Sequence, residues 1–306
     1  MAMIEEQLPD RIFENPGVTL RPISEGAEKW LYRPIQCLDH GFVYLVDYTG
    51  TDLSVVDAAR VSYGQGTKSV NTAEGLIRYL RRHVHTSPSE MVEVKFHCKM
   101  PIVVARQWVR HRTANINEYS GRYSEMLDEF YLPALDDIKA QAKDNKQGRG
   151  DELPLDIRQE VRTRFAEGYR RQYEDYKWFL DVGVAKEIAR LGLPVANYTQ
   201  WYWKIDLHNL MHFLRLRLDS HAQYEIRVYG EAMARIIKDA FPLSFGAFED
   251  YQLHAISFSR LELDVLNANQ WPMSRIKADR VVSAGIANKR EQAEFIAKLQ
   301  KLNFVL

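Results

Sequence analysis

The sequence has only two cysteines, no long apolar run and no excess of charge of either sign. Cys37 and Cys98 lie in unrelated contexts without a CxxC spacing, which favours free thiols in a reducing compartment. No apolar run is long enough to span a bilayer, and the first residues lack the basic and apolar regions of a secretion signal. These absences predict a cytoplasmic protein without a membrane partner.

Charge is balanced, because the 41 basic and 41 acidic residues of the 306-residue chain cancel to a formal net charge of zero. Without a global positive field, nothing concentrates a polyanion around the protein. We therefore expect no nucleic-acid partner, and any anion-binding function has to be local. A GxGxxG fingerprint is also missing, which argues against a Rossmann fold.

The first half of the chain predicts short elements. Aromatic and β-branched residues at 42–48 predict a strand, and period-two alternation at 92–100 predicts a second one. Short helices are expected at 54–61 and from about 72 to 83. Pro101 closes the second strand and suits the first turn of a following helix.

The second half of the chain predicts longer helices. Residues 131–156 are polar and predict an exposed, mobile loop. Residues 157–190 have the pattern of one long helix or two, and residues 207–240 have that of another. The chain is thus expected to consist of an N-terminal extension, a main domain that contains the polar insert, and a helical tail, at residues 1–40, 41–261 and 262–306.

The segment from Arg106 to Tyr123 contains four arginines, a histidine, a glutamate and a serine within eighteen residues. It follows apolar residues that indicate a buried element. The planar guanidinium group stays charged and matches the oxygens of a phosphate. A solvated basic patch is the ordinary explanation for an isolated Arg-His-Arg triplet, but here the segment predicts a phosphate-binding site at the end of a helix and in the loop after it.

This segment resembles the signature of flavin-dependent thymidylate synthases, in which Arg-His-Arg is followed by seven residues and a serine. Here these residues are Arg110, His111 and Arg112, followed by Ser120. The resemblance extends to further motifs at 57–62, 85–90, Arg190 and 215–223, so it covers roughly residues 41 to 250. Asn115 departs from the commonest family pattern, where serine is frequent, but the arginines are untouched.

The resemblance implies an α+β fold in which a small antiparallel sheet is packed with long helices. It implies the reductive methylation of dUMP to dTMP, with 5,10-methylenetetrahydrofolate as carbon donor. NADPH would be the reductant, acting through bound FAD. It also implies a homotetramer whose active sites lie at subunit interfaces.

The resemblance assigns two groups of binding residues. Those expected near the flavin are Ser62, Ser87, Arg110, His111, Arg112, Asn117, Glu118, Asp206, His208 and His212. Those expected around dUMP are Gln107, Arg110, Glu118, Ser120, Gly121, Arg122, Arg190 and Arg217. His85 and Glu90 match family positions near the flavin ring, and their role stays open.

Arg217 is the predicted catalytic residue. A fixed cation beside the uracil ring would stabilise the negative charge that develops there and raise the nucleophilicity of its C5 carbon without an enzyme thiolate. The alternative is that Arg217 only pairs with Asp219 or Glu225. Ser120 is assigned to binding, because no His/Asp arrangement is evident to activate it as a nucleophile.

His208 and His212 stand four residues apart on one helical face, a spacing that could bind a metal ion. The metalloprotease version needs a glutamate directly after the first histidine, and Asn209 occupies that position. We therefore predict no metal site.

A second class of function uses the same arginines. A non-catalytic nucleotide-binding or RNA-binding protein could bind phosphates through Arg106, Arg110, Arg112 and Arg122, with Trp108 and Tyr123 stacking on bases. The zero net charge and the convergence of separate motifs weigh against it. Steeply salt-dependent binding to single strands without bound flavin would favour it.

Overall fold

The computed structural model of the chain describes residues 21–62, 72–142, 148–268 and 289–302. Half of the predicted N-terminal extension, part of the polar insert and part of the predicted tail lie outside these ranges. The chain divides into two compact units after Tyr251.

The first unit is built around a five-stranded antiparallel sheet with the order β1-β2-β3-β7-β4. Its strands are β1 (Ile35–Cys37), β2 (Gly41–Thr49), β3 (Glu93–Pro101), β7 (Tyr198–Asp206) and β4 (Ala114–Glu118). The strands predicted at 42–48 and 92–100 are therefore confirmed. A bulge between Leu45 and Asp47 interrupts the pairing of β2 with β3.

The first unit also contains ten described α-helices. They are α1 (Glu25–Glu28), α2 (Asp52–Arg60), α3 (Ala73–Arg82), α4 (Ser87–Glu90), α5 (Ile102–Trp108), α6 (Leu155–Asp181), α7 (Lys186–Ala189), α8 (Leu207–Arg217), α9 (Tyr224–Ala240) and α10 (Pro242–Phe248). The α+β class is confirmed. A π-helical segment, Glu249–Leu253, follows α10.

One face of the sheet is covered by α5, α8 and α9. The core there is aromatic: the buried Trp108 ring stacks on Phe213 with centroids 5.0 Å apart and meets Trp201 and Trp203 edge to face. Trp201 and Trp203 are two positions apart on β7 and therefore point to the same face of the sheet, toward the helices. This packing fixes the end of α5 and the middle of α8 against each other.

The opposite face of the sheet is only partly covered. Directly paired residues share a face, so His97 lies between Tyr44 and Tyr202 across three strands. The Tyr44 hydroxyl is 2.6 Å from His97 Nδ1, and Tyr202 is 43% exposed. Half-exposed aromatic side chains therefore remain on this face.

Residues 21–40, expected as part of an extension, contribute structure to the unit. Ser24 caps α1 and donates its hydroxyl to the carbonyl of Ala240 at 2.6 Å. Gly26 lies against the backbone of Asp239 so closely that a Cβ atom would have no room. β1 then pairs with β2.

Three sequence predictions need correction. The residues after α5 are not all loop, because 114–118 form the edge strand β4 paired with β7. The described part of 131–156 is not an open loop but holds a 3₁₀ turn, Leu135–Asp137, and the hairpin of β5 (Lys139–Gln141) and β6 (Arg149–Glu152). The ion pair between Arg149 and Asp137 ties this hairpin down.

The third correction concerns 207–240, which form two helices rather than one. Between α8 and α9 the Asp219 carboxylate accepts the backbone N–H of His221 at 2.8 Å, a local turn that competes with helix continuation. The two-helix alternative for 157–190 is confirmed by α6 and α7.

The second unit has two described helices, α11 (Arg260–Ala268) and α12 (Lys289–Lys301). Phe258 and Phe295 meet edge to face, and Lys298 pairs with Glu262 at 2.7 Å.

Candidate active site

The Arg-His-Arg segment follows directly from a helix that is anchored in the core. Pro101 precedes α5, and Trp108 ends it as one of the largest fully buried side chains. The chain then turns, placing Arg110 and Arg112 at the surface and His111 in the interior. Because the tryptophan cannot move without opening the aromatic core, the turn has a fixed position.

His111 and Arg217 are in direct contact. Arg217 donates from Nε and Nη2 to the Nε2 atom of His111 at 3.1 and 3.0 Å. His111 is 9% exposed and meets the Phe213 ring edge to face. Burial and the nearby Arg217 and His212 lower the pKa of His111 to about 4, so the imidazole is neutral at pH 7. Burial also lowers the pKa of Arg217.

The carboxylates considered as partners for Arg217 have other contacts. Asp219 accepts from His221, and Glu225 is ion-paired with Arg149. Arg217 is thus held by a neutral acceptor, His111, and its positive charge is not cancelled by that contact.

Helix α8 presents the other flavin candidates. Asp206 caps the helix, accepting the backbone N–H of Asn209 at 2.8 Å and its side-chain amide at 2.7 Å. His208 is half-buried, and its Nδ1 atom is buried without a hydrogen-bond partner among the described residues. Burial and the Arg81 charge lower the pKa of His208. His212 is exposed, with its ring centroid 6.0 Å from that of His111.

A buried arginine near these histidines was not predicted. Arg81 on α3 is 8% exposed, and burial lowers its pKa to about 10. Its guanidinium reaches Met211 Sδ on α8 at 2.7 Å. Arg81 stands four residues after Ile77, at the edge of the apolar face of α3, but the sequence does not show what its guanidinium would contact there.

The two serines assigned to the flavin lie on neighbouring elements. Ser87 begins α4, which packs against both α2 and α8. Ser62 is exposed just after α2. The fold therefore places Ser87 on the side of the unit where α8 carries His208.

The edge strand β4 carries the next candidates. Asn117 lies opposite Tyr202 on the partly open face of the sheet. Glu118 accepts the hydroxyl hydrogen of Thr199 at 2.7 Å. Both are exposed, so their polar atoms are accessible to a ligand.

Ser120, Gly121 and Arg122 form a turn after β4. The Ser120 carbonyl accepts the backbone N–H groups of Tyr123 and Ser124, both at 3.1 Å. Gly121 is buried: a Cβ atom there would lie 2.7 Å from Met126 Sδ and 3.2 Å from Arg190 Cδ. Arg190, far away in sequence, is thus brought to this turn, while Arg122 pairs with Glu187 at 3.3 Å.

Gln107 belongs to a polar network that was not predicted. It donates to the side-chain oxygen of Gln223, whose amide donates to Glu225 at 2.8 Å. Glu225 also accepts the hydroxyl of Tyr131 at 3.0 Å and pairs with Arg149 of the hairpin. These partners are distant in sequence, and only the fold reveals the network.

The candidates thus form two groups separated by β4. The first group consists of Gln107 and His111, which precede the strand, and Arg217, which contacts His111. The second consists of the turn with Gly121, which follows the strand, and Arg190, which lies against that turn. A five-residue strand spans roughly 15 Å at about 3.3 Å per residue.

The structure gives less support to a thiolate nucleophile, a metal site or a membrane-spanning helix. Burial raises the pKa of Cys37 to about 12 and that of Cys98 well above its usual value, so neither thiol is a thiolate nucleophile. Among the described residues, no three His, Cys, Asp or Glu side chains are grouped to hold a metal ion. No helix in the described ranges is long and apolar enough to cross a membrane.

Comparison with known proteins gives consistent results. A family model described as "Thymidylate synthase complementing protein" matches residues 44–243. This range contains all of the predicted site residues, from Ser62 to Arg217.

Two relatives are similar along most of the chain. A flavin-dependent thymidylate synthase of Ehrlichia ruminantium (strain Gardel) is 55% identical over 249 residues, 81% of this chain and 84% of the relative. One from Gluconobacter oxydans (strain 621H) is 50% identical over 289 residues, 93% of each chain. Among solved structures, the UMP/dUMP methylase PolB from Streptomyces cacaoi bound with 5-Br UMP is similar with a TM-score of 0.63 and 36% identity, covering 72% of this chain and 98% of that one.

Proposed function

Since this chain belongs to the family of flavin-dependent thymidylate synthases, we propose that its two groups of site residues hold FAD and dUMP. The enzyme reductively methylates dUMP to dTMP, with 5,10-methylenetetrahydrofolate as carbon donor and NADPH as reductant. When bound, FAD supplies the redox chemistry that relays reducing equivalents from NADPH. The protein binds the partners, orients them and stabilises charge.

The residues around His111 and α8 fit the demands of a flavin nucleotide. Arg110 and Arg112 are exposed cations beside the turn, suited to a diphosphate. His208 has a buried Nδ1 atom without a partner among the described residues, and a buried polar atom of this kind needs a ligand or water. We assign Ser62, Ser87, Asn117, Glu118, Asp206 and His212 to the same site.

Arg217 is the proposed catalytic residue. Its guanidinium is half-buried and held by His111, which is neutral because its pKa is lowered to about 4. The contact therefore orients Arg217 without neutralising it. A preoriented cation in a partly desolvated site stabilises negative charge on the uracil ring far better than a solvated one. That charge makes C5 of dUMP the nucleophile, with no enzyme thiolate required.

The turn at Ser120 to Arg122 is the proposed phosphate site, together with Arg190. The pair between Arg122 and Glu187 is more than half exposed on both sides, so it contributes little stability. A phosphate dianion can therefore take the place of Glu187 at small cost. Gln107, Arg110, Glu118 and Arg217 complete the proposed dUMP contacts.

A homotetramer with active sites between subunits is supported by two features. The phosphate turn and Arg217 lie on opposite ends of β4, so a second copy can bring one group close to the other. Apolar side chains also lie exposed beside Arg190: Leu191 is 75% and Val195 58% exposed. Exposed apolar residues clustered next to a functional site are typical of an interface.

The buried, unreactive thiols of Cys37 and Cys98 support the proposed cytoplasmic location. The free thiol state is the one that a reducing compartment maintains.

Formation of dTMP tests the proposal. Purified protein loaded with FAD is expected to convert dUMP to dTMP, detected by chromatography, only when methylenetetrahydrofolate and NADPH are both present. Omitting either co-substrate is the control. If FAD-loaded protein forms no dTMP under conditions in which a relative such as the Gluconobacter oxydans enzyme does, the proposed function is wrong.

A further inference from the structure

Glu225 is a buried carboxylate at the centre of the network that ends at Gln107. It is 4% exposed, near the start of α9. Three donors converge on it: the guanidinium of Arg149, the hydroxyl of Tyr131 at 3.0 Å and the amide of Gln223 at 2.8 Å. A charge buried to this degree is stable only when its acceptor positions are satisfied, and this one has an ion-pair partner and two further donors.

The carboxylate determines the direction of every hydrogen bond beyond it. An ionised carboxylate only accepts, so the NH₂ group of Gln223 has to face Glu225. The Gln223 oxygen then faces Gln107 and accepts from its Nε2 atom. The two ends of an amide are otherwise hard to distinguish, but here the chemistry of Glu225 selects one orientation for both side chains.

We propose that Glu225 is a positioning residue for the nucleotide site: through Gln223 it fixes the side-chain amide of Gln107, so that the Gln107 carbonyl oxygen faces the ligand. This inference rests on the proposed role of Gln107 in binding dUMP. A carbonyl oxygen accepts hydrogen bonds, so the Gln107 oxygen would receive an N–H or O–H of the nucleoside, since a phosphate dianion has no proton to donate to it.

The hairpin of β5 and β6 is the outer end of the same network. Arg149 of β6 pairs with Asp137 at 2.9 Å as well as with Glu225, and its guanidinium carbon lies 5.1 Å from the centroid of the Tyr224 ring. Arg149 supplies the positive charge that lets Glu225 remain buried. Through Glu225, Arg149 of the hairpin therefore supports the orientation of Gln107.

The test interrupts the hydrogen-bond chain from Glu225 to Gln107 at Gln223, an exposed residue, so that the effect on Gln107 is measured without unfolding the protein. Gln223→Met keeps the length of the side chain but removes both amide atoms, and it leaves the Arg149–Glu225 pair in place. Glu225→Gln changes the acceptor itself. With FAD-loaded tetramer, we expect dUMP dissociation constants about three- to tenfold higher in both variants, the effect of one misdirected hydrogen bond, with FAD affinity unchanged. Glu231→Gln, in a surface pair on the same helix, is the matched control.

A double-mutant cycle with Gln107→Ala decides whether the effect passes through Gln107. If it does, adding Gln223→Met to Gln107→Ala weakens dUMP binding no further. Additive effects, or a Gln223→Met protein that binds dUMP like the parent, would overturn the inference. Failure of the parent protein to bind dUMP would instead overturn the proposed function, so the two failures are distinguishable. Gln223→Met removes one donor to Glu225 but leaves the carboxylate its ion pair with Arg149 and its hydrogen bond from Tyr131, so the test holds even if Glu225→Gln does not fold.

Discussion

Arg217 donates two hydrogen bonds, at 3.1 and 3.0 Å, to the same nitrogen of His111. That nitrogen needs a lone pair to accept them, so His111 is the neutral tautomer with its proton on Nδ1. Protonating His111 would place two cations in contact in a partly buried site. The contact thus keeps His111 uncharged and leaves Arg217 as the cation of the pair.

This pairing predicts that stability falls in mild acid. The pKa of His111 is lowered from 6.5 to about 4 in the folded chain. Between these values the unfolded chain binds the extra proton, so the free energy of unfolding decreases as the pH falls. The contribution of His111 is about 2 kcal/mol between pH 7 and pH 5, measurable by urea unfolding at fixed protein concentration.

His111→Gln is the control for the acid effect. Its side-chain oxygen can accept from Arg217 but does not titrate, so the loss between pH 7 and pH 5 should shrink by about that amount. An unchanged difference between the two pH values would show that other groups cause the acid sensitivity.

Arg217→Ala is expected to lower kcat by a factor of about 10² to 10³, the usual effect of removing one group that stabilises developing charge. Most FAD binding should survive, because Arg110 and Arg112 remain. Arg217→Lys should recover only part of the activity, since an ammonium lacks the planar fork of donors. Both are measured as dTMP formation alongside flavin content, and an Arg217→Ala enzyme with normal turnover would remove Arg217 from the mechanism.

Gly121→Ala should weaken dUMP binding by displacing Arg190. The new Cβ atom would lie 2.7 Å from Met126 Sδ and 3.2 Å from Arg190 Cδ, and relieving such crowding typically costs about 1–3 kcal/mol. The dUMP dissociation constant should rise, while the flavin content stays the same.

Gly168→Ala is the matched control, because a Cβ atom there meets nothing within 4 Å in the middle of α6. It should raise stability by roughly 0.5–1 kcal/mol and leave dUMP binding unchanged. Equal dUMP affinity in the two glycine variants would refute the role of the Gly121–Arg190 contact.

Leu191→Asp should dissociate the proposed tetramer and reduce activity, because a charge would enter an apolar interface. Light scattering after gel filtration reports the assembly. Ile23→Asp, at a similarly exposed apolar residue near α1, should leave the assembly intact. A fully assembled and active Leu191→Asp protein would place the interface elsewhere.

The parts of the fold that depend on local pattern could be predicted from sequence. The alternation in β3 and the apolar face of α3 are properties of a few consecutive residues, and the Arg110 to Arg112 motif is contiguous. β4 was missed because Asn115, Asn117 and Glu118 are polar at an exposed sheet edge, where alternation is weak.

The remainder could not be predicted because it depends on contacts distant in sequence. Glu225 and Arg149 meet across 76 positions, and Arg217 meets His111 across 106. Neither pair has a local pattern. Arg81 lies at the edge of the apolar face of α3, and its burial depends on a contact with Met211 of α8, 130 positions away.

An absorbance scan of the purified protein before and after adding dUMP tests whether flavin and nucleotide share one site. We expect a bound flavin whose spectrum shifts when dUMP binds, because both ligands occupy one site around Arg217. A colourless protein that cannot be reconstituted with FAD would contradict it.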